Sequence, residues 1–398
     1  MDGPHLTVCE CEALDRAQRS LGVQAFRWIS RNQIKVAQFV GMIAATDVRL
    51  EILPKIHGLG EGDTRRVLIG MLGIALDVPV RDGDVTGHEY QNCDLLELLI
   101  DLFARRLREK IRAGLSRAYS QHESDLSYLR GKLAVTRQFS ILAASPHRLA
   151  CRYDEFTADT VLNRLLLCAV TFLRRRSIRA GTQRLLNEIA AHFEDVRSAT
   201  VSDVLNESFV IDRGNRDWEI PARLARLLLS ATCQTTHGGM RDGVALLFDM
   251  NLLFESYVAA FARKVFTPLG YKVRAQCPMR CMVKDEKGKN LFHTRPDLHV
   301  ERDGQVVVFD TKWKHINPRQ SNFDILQADV YQMYGYAHIY SSQNTVLLYP
   351  HIQETSRQPG LQSSWTLQSH GGRLTIATID ITKPAMLATS LTELLAAS

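Results

Sequence analysis

Two carboxylates and a lysine around residue 300 have the spacing of a hydrolytic metal site. In "RPDLHVERDGQVVVFDTKWK" (295–314), two alternating runs flank Asp303-Gly304, a dipeptide that favours a two-residue β-hairpin turn. Counting outward from that turn, Arg302 pairs with Gln305, Val300 with Val307, Leu298 with Phe309 and Asp297 with Asp310. Side chains alternate along a strand, so Leu298, Val300, Val307 and Phe309 read as a core face, while Asp297, His299, Val308, Asp310 and Lys312 share the other. Directly opposed Cβ atoms lie roughly 4.5–5.5 Å apart, and like charges so placed repel. A divalent cation between the two carboxylates would offset that repulsion. Lys312 could hold a water or a phosphate oxygen beside it. The chemistry is that of metal-assisted phosphodiester hydrolysis. A solvated hairpin face is the alternative reading of a D-x-K alone; the second acid at matching register, preceded by Pro296, favours the site.

The elements around these residues must position them. "ADVYQMYGYAHIY" puts Gln332 and Tyr336 four residues apart on one face of a helix, with Asp329 one turn earlier, although a helix that merely packs its Tyr and Met residues reads the same way. Glu255, in "LFDMNLLFESYVAAFARKVF", is either a third metal carboxylate or a solvent-facing helix residue. From about 241 the order helix, strand, hairpin, helix, strand ("NTVLLYP"), final strand ("RLTIATIDI") predicts a mixed α/β domain with its sheet covered by helices. Residues 1 to about 60 read as strands, with a turn at Ala45-Thr46-Asp47 and Val48, Leu50 and Ile52 on one face. "TRRVLIGMLGIAL" predicts a short helix. Leu96, Ile100, Phe103, Leu107, Ile111 and Leu115 predict a long amphipathic one, whose other faces carry Arg105, Arg106, Arg108, Lys110, Arg112 and Arg117 as a solvated surface or a phosphate-facing strip. From "DLSYLRGKLAVTRQF" to about 240 the chain reads as mostly helical, with segments near 159–176, 182–195 and 221–232 and a basic "FLRRRS". The expected division is therefore a β-rich domain ending in a basic helix (1–125), a helical connecting region (126–240) and an α/β domain with the candidate site (241–398), the first dispensable for the site's integrity.

Composition bounds the function. With 398 residues, 45% hydrophobic and 23% charged, the chain has the make-up of a globular protein. No apolar run approaches the ~18 residues of a membrane span, and "MDGPHLTVCECE" lacks a signal peptide's basic and apolar regions, so a cytoplasmic protein without membrane contact is expected. Eight cysteines suggest no disulfide framework, and neither Cys9/Cys11 nor Cys277/Cys281 has a partner pair at zinc-like spacing. A net charge of +6 permits nucleic-acid binding. There is no phosphate loop, no H-E-x-x-H and no G-x-S-x-G, so nucleotide hydrolysis by the chain itself is not expected.

Pro296-Asp297 followed by Asp310-Thr311-Lys312 resembles the PD-(D/E)xK nuclease motif, and Gln332 with Tyr336 resembles the Q-x-x-x-Y element of its RecB-like branch. More of the chain is similar to the McrC subunit of McrBC-type modification-dependent restriction systems: "VGMIAATDVRLEILPKI", "YLRGKLAVTRQF", "YDEFTADTVLNRLL" and "RPDL…FDTKWK" with "ADVYQMYGYA". This resemblance implies a restriction-endonuclease-like C-terminal domain. It implies an N-terminal domain that engages an AAA+ GTPase, McrB, and DNA cleavage when that motor translocates. On that basis Asp297 and Asp310 bind Mg2+, with Mn2+ as substitute, the Thr311 carbonyl and Glu255 add oxygen ligands, Lys312 orients the attacking water, and Gln332 and Tyr336 position the strand or that water. The rival expectations are a stand-alone RecB-like DNA-processing nuclease and a non-catalytic scaffold or GTPase activator.

Overall fold

A computed structural model describes residues 7–21, 26–30, 33–45, 48–56, 58–78, 87–145, 147–236, 244–276, 279–351, 358–368 and 371–396. They form two compact units, one made of 1–95 with 247–398 and the other of 96–246. The first helix and strands thus group with the C-terminal segment, and the long basic helix groups with the middle of the chain, a different partition from the three consecutive segments expected above.

The chain opens with a helix where strands were expected, α1 (Val8–Leu21). Its signal is Thr7-x-x-Glu10: Thr7 Oγ1 accepts from the Glu10 N–H and Glu10 Oε2 accepts from the Thr7 N–H, a reciprocal cap. Next, β1 (Phe26–Ser30) pairs with β2 (Gln33–Val36), and β3 (Phe39–Ala45) pairs antiparallel with β4 (Val48–Ile52), Ala45 opposite Val48. Of the expected turn, Thr46 and Asp47 lie outside the described residues. Glu51 of "LEILPKI" accepts hydrogen bonds from Arg65 of α2 (Glu61–Ala75), at 3.0 and 2.6 Å, and from the Leu95 N–H at 2.9 Å. That acid ties β4 to the helix after it. A short α3 (Gly87–Asn92) follows.

The second unit begins in α4 (Leu95–Ile111), which is buried almost all round from Leu96 to Ala104. Arg106 is buried and paired with Glu109, so it belongs to neither a solvated strip nor a phosphate surface, while Arg105, 2.6 Å from Asp101, keeps its side chain 36% exposed. The middle region is not simply helical. β5 (Ala118–Leu126) and β7 (Leu149–Thr157) form a nine-residue antiparallel pair, with β6 (Lys132–Leu133) on the far side of β7 and α5 (Val135–Ser140) between β6 and β7 in sequence. "AYSQHESDL" has little apolar alternation, and its partner lies about thirty residues on, so no local signal announced the pair. Helices α6 (Val161–Arg174), α7 (Ala180–Ala191), α8 (Val201–Asn206) and α9 (Glu219–Thr236) complete the unit. The stretch "YDEFTADTVLNRLL" is a knot at the start of α6. Thr160 caps the helix, Asn163 donates to the carbonyls of Ser116 and Ala158, and Asp159 pairs with both Arg164 and Arg197. Those guanidiniums hold the Asp159 carboxyl down at about 2.

Back in the first unit, β8 (Val244–Asp249) adds to β3. Asp249 accepts from the Asn251 N–H and so starts α10 at Met250 (Met250–Phe266), making "LFD" the end of a strand rather than part of the helix. β9 (Lys272–Ala275) is followed by the separate hairpin β10 (Arg280–Lys284) and β11 (Asn290–Thr294), then by β12 (Leu298–Arg302), β13 (Gln305–Thr311), α11 (Gln327–Ile339), β14 (Asn344–Pro350), β15 (Gly360–Thr366), β16 (Arg373–Ile379) and α12 (Pro384–Ala396). The main sheet is mixed and six-stranded, in the order β15-β16-β14-β13-β12-β9. β15 and α12 were not anticipated.

Candidate active site

The site grows from the hairpin β12–β13, whose register is the one counted from the sequence: Arg302 opposite Gln305, Val300 opposite Val307, Leu298 opposite Phe309. Asp303 and Gly304 have φ of 51° and 80°, the left-handed pair that a type I′ turn requires. Both faces are covered, so the alternative reading of a solvated hairpin face does not hold. Phe309 packs near Phe266 of α10, while Val308 joins Met333 and Tyr336 of α11 in a second apolar layer. His299 is buried as well, its ring edge-on to Tyr340. Asp310 therefore enters the chain's interior on the α11 side and is 1% exposed.

Asp297 stands just before β12 begins, and there strand alternation no longer fixes its side chain. Its carbonyl accepts from the Gln276 N–H, and its Oδ2 accepts two hydrogen bonds from Thr311, one from the N–H and one from the hydroxyl, each at 2.7 Å. Thr311 thus acts through its donors to hold Asp297, a role the sequence reading missed because it looked only to the carbonyl. Asp310 Oδ2 lies 2.7 Å from Lys312 Nζ and makes no hydrogen bond of good geometry. Lys312 donates to Gln332 Oε1 at 3.1 Å, Gln332 Nε2 donates to the Tyr336 oxygen at 2.7 Å, and the Tyr336 hydroxyl donates to the Arg295 carbonyl at 3.1 Å. The structure brings Asp310, Lys312, Gln332 and Tyr336 into one chain of contacts that returns to the residue before Pro296.

Electrostatics follow from this burial. Desolvation, then the Asp297 charge, pushes the Asp310 carboxyl up to about 7 against the pull of Lys312. Asp297 is also raised, chiefly by burial, with the Thr311 donors working the other way. Burial opposes the charge on Lys312, but Asp310 and Asp297 outweigh it and hold the ammonium. Glu255 of α10 is raised by burial and by Asp297, and it also feels Arg295 and Lys312, which places it in the same electrostatic group. Among the described residues no group of three or more His, Cys, Asp or Glu side chains is arranged to hold a metal ion. The acids nonetheless suit a hard divalent cation. The close partner of buried Asp310 Oδ2 is itself a cation, Lys312 Nζ at 2.7 Å, and Mg2+ is commonly held by only one or two carboxylates, with waters and substrate phosphates completing its shell. Cys9, Cys11 and Cys281 are free, and Cys277 lies outside the described residues.

Residues 34–350 match the family model described as "McrBC 5-methylcytosine restriction system component". The chain belongs to that McrBC family. Its fold is similar to that of a chain from the refined half-complex of the tetradecameric assembly of Thermococcus gammatolerans McrB AAA+ hexamers with bound McrC, with TM-score 0.68 and 21% identity over 99% of this chain and 90% of that one. The cryo-EM structure of the Thermococcus gammatolerans McrBC complex matches at TM-score 0.49 and 27% identity, over 59% of this chain and 68% of that one. No curated protein matches the chain significantly. The resemblance to McrBC-type restriction systems is borne out at the level of that family, and "LEILPKI" owes part of its character to the Glu51–Arg65–Leu95 contact. Among the described residues, no helix of this McrBC family member is long and apolar enough to cross a membrane.

Proposed function

We propose that this McrBC family member is the Mg2+-dependent DNA endonuclease subunit of a modification-dependent restriction complex, switched on by an AAA+ GTPase partner. The observation that carries this reading is buried Asp310 paired with partly exposed Lys312, beside Thr311-clamped Asp297, at the end of β13. Asp297 and Asp310 would hold the cation, with Glu255 and the Thr311 carbonyl as further oxygen donors and Mn2+ as a substitute. When bound, the metal supplies Lewis-acid polarisation of the scissile phosphate and a water of lowered pKa.

The chain's own residues do the rest. Lys312, beside Asp310, would offer its ammonium to the attacking water and to the charge that develops on phosphorus. Gln332 steers Lys312 from one side, and Tyr336 fixes Gln332 by tying it to the Arg295 carbonyl. Partner dependence rests on the family and on a solved relative whose assembly contains McrB AAA+ hexamers with bound McrC. Purified chain with Mg2+ should cut 5-methylcytosine-containing DNA little, and addition of the cognate AAA+ protein with GTP should restore cutting. Asp310→Asn should abolish it; a folded Asp310→Asn protein that cuts like the wild type would remove the site assignment.

A further inference from the structure

Beside the acid pair stands a second lysine that the proposed chemistry does not use. Lys314 follows Lys312 in a tight turn, its N–H donating to the Lys312 carbonyl at 2.9 Å. Trp313 between them is anchored: its N–H donates to Asn251 Oδ1 at 3.3 Å and its ring meets Phe254 edge-on. Lys314 Nζ lies 3.3 Å from Asp329 Oδ2, and the two ends of this pair differ sharply in exposure, 46% for the lysine side chain and 11% for the aspartate. Asp329 and Gln332 are three apart on α11, one turn of one face, so the same helix holds Lys314 through the first and Lys312 through the second. The Cβ atoms of Asp329 and Gln332 are thus separated by about 5–6 Å, so the two lysines are held side by side.

An ion pair with one exposed end contributes little to stability, so stability does not account for committing a nearly buried carboxylate to a half-exposed lysine. An ammonium has three donors, and Asp329 accepts one of them among the described contacts, which leaves others for an anion arriving from solvent. On the reading of this site as a DNA nuclease, we propose that Lys314 binds the backbone phosphate next to the scissile one, and that Asp329 is the positioning residue that holds it there.

The test is binding of the full-length chain to a 5-methylcytosine-containing duplex in Ca2+ across a salt series, with cleavage by the GTP-driven complex measured in parallel. Lys314→Gln should bind about tenfold more weakly, with a log–log salt slope smaller by about one, and Lys314→Arg should keep the slope. Asp329→Asn should keep the slope, because the cation remains, yet raise KM with kcat little changed. Asp310→Asn separates the two levels: loss of cutting with the salt slope retained supports the nuclease reading, whereas wild-type cutting by this variant removes that reading whatever Lys314 does. Wild-type affinity and slope in Lys314→Gln, or no salt-dependent binding by the chain at all, would overturn the phosphate assignment.

Discussion

Lys312 does in the metal-free protein what a cation would do in the loaded one: it lies against Asp310 and offsets the repulsion between that buried acid and half-buried Asp297. Removing that charge should expose the repulsion. Lys312→Met should lower the melting temperature of the metal-free protein at about pH 8 and enlarge the upward shift that Mg2+ produces. A smaller Mg2+ shift than wild type would mean that the lysine itself helps hold the ion. The sign of the pH effect follows from Asp310. Its folded-state value is raised to about 7, so the folded protein keeps the proton over a range where the unfolded chain has released it. Stability should therefore fall as pH rises from about 4 to about 7 without metal, and Asp310→Asn should flatten that fall; equal slopes in melting temperature against pH would contradict the burial argument.

At the scale of elements, α11 is the part that aims the chemistry, since Gln332 and Tyr336 reach back from it to Lys312 and to the Arg295 carbonyl. Tyr336→Phe leaves that carbonyl and Gln332 without the hydroxyl, inside a region where Tyr336 is 2% exposed. A stability loss of about 1 kcal/mol and a lower kcat are expected, and an unchanged kcat would make the tyrosine purely structural. In the other unit, Asp159 joins the start of α6 to Arg164 and Arg197, and its depressed value means that its contribution is present above about pH 4 and lost as pH falls toward 2. Asp159→Asn should cost on the order of 1 to 2 kcal/mol at neutral pH, read from urea melts, with little left of that difference in acid.

For the whole molecule, the grouping of 1–95 with 247–398 changes what truncation should do. α2 packs on α10, and β8 extends the sheet of β3 and β4, so the N-terminal segment is part of the scaffold that carries Glu255 and supports β13. Removing residues 1–95 should abolish the cooperative thermal transition of the C-terminal segment rather than leave an intact metal site uncoupled from its motor. A truncated protein that melts cooperatively near the wild-type temperature would restore the picture of a separable first domain.

The hairpin was legible because Asp303-Gly304 and strict alternation fix register locally, and register fixed which residues oppose one another from Arg302 and Gln305 out to Leu298 and Phe309. The helix spacing of Asp329, Gln332 and Tyr336 was legible for the same reason, since i, i+3 and i+4 geometry is a property of the backbone alone. Burial of the second hairpin face was not, because it depends on α11 folding back over Val308 from about twenty residues away. Nor was the β5–β7 pair, because β5 carries little apolar alternation and gains its conformation from a partner about thirty residues on. The same limit applies to the site. Sequence determined which acids and lysine could meet; tertiary packing decided that Thr311 would clamp Asp297, that Lys312 would neutralise Asp310 and that Asp329 would hold Lys314, because desolvation, which sets the strength of every one of those contacts, exists only once the layers close.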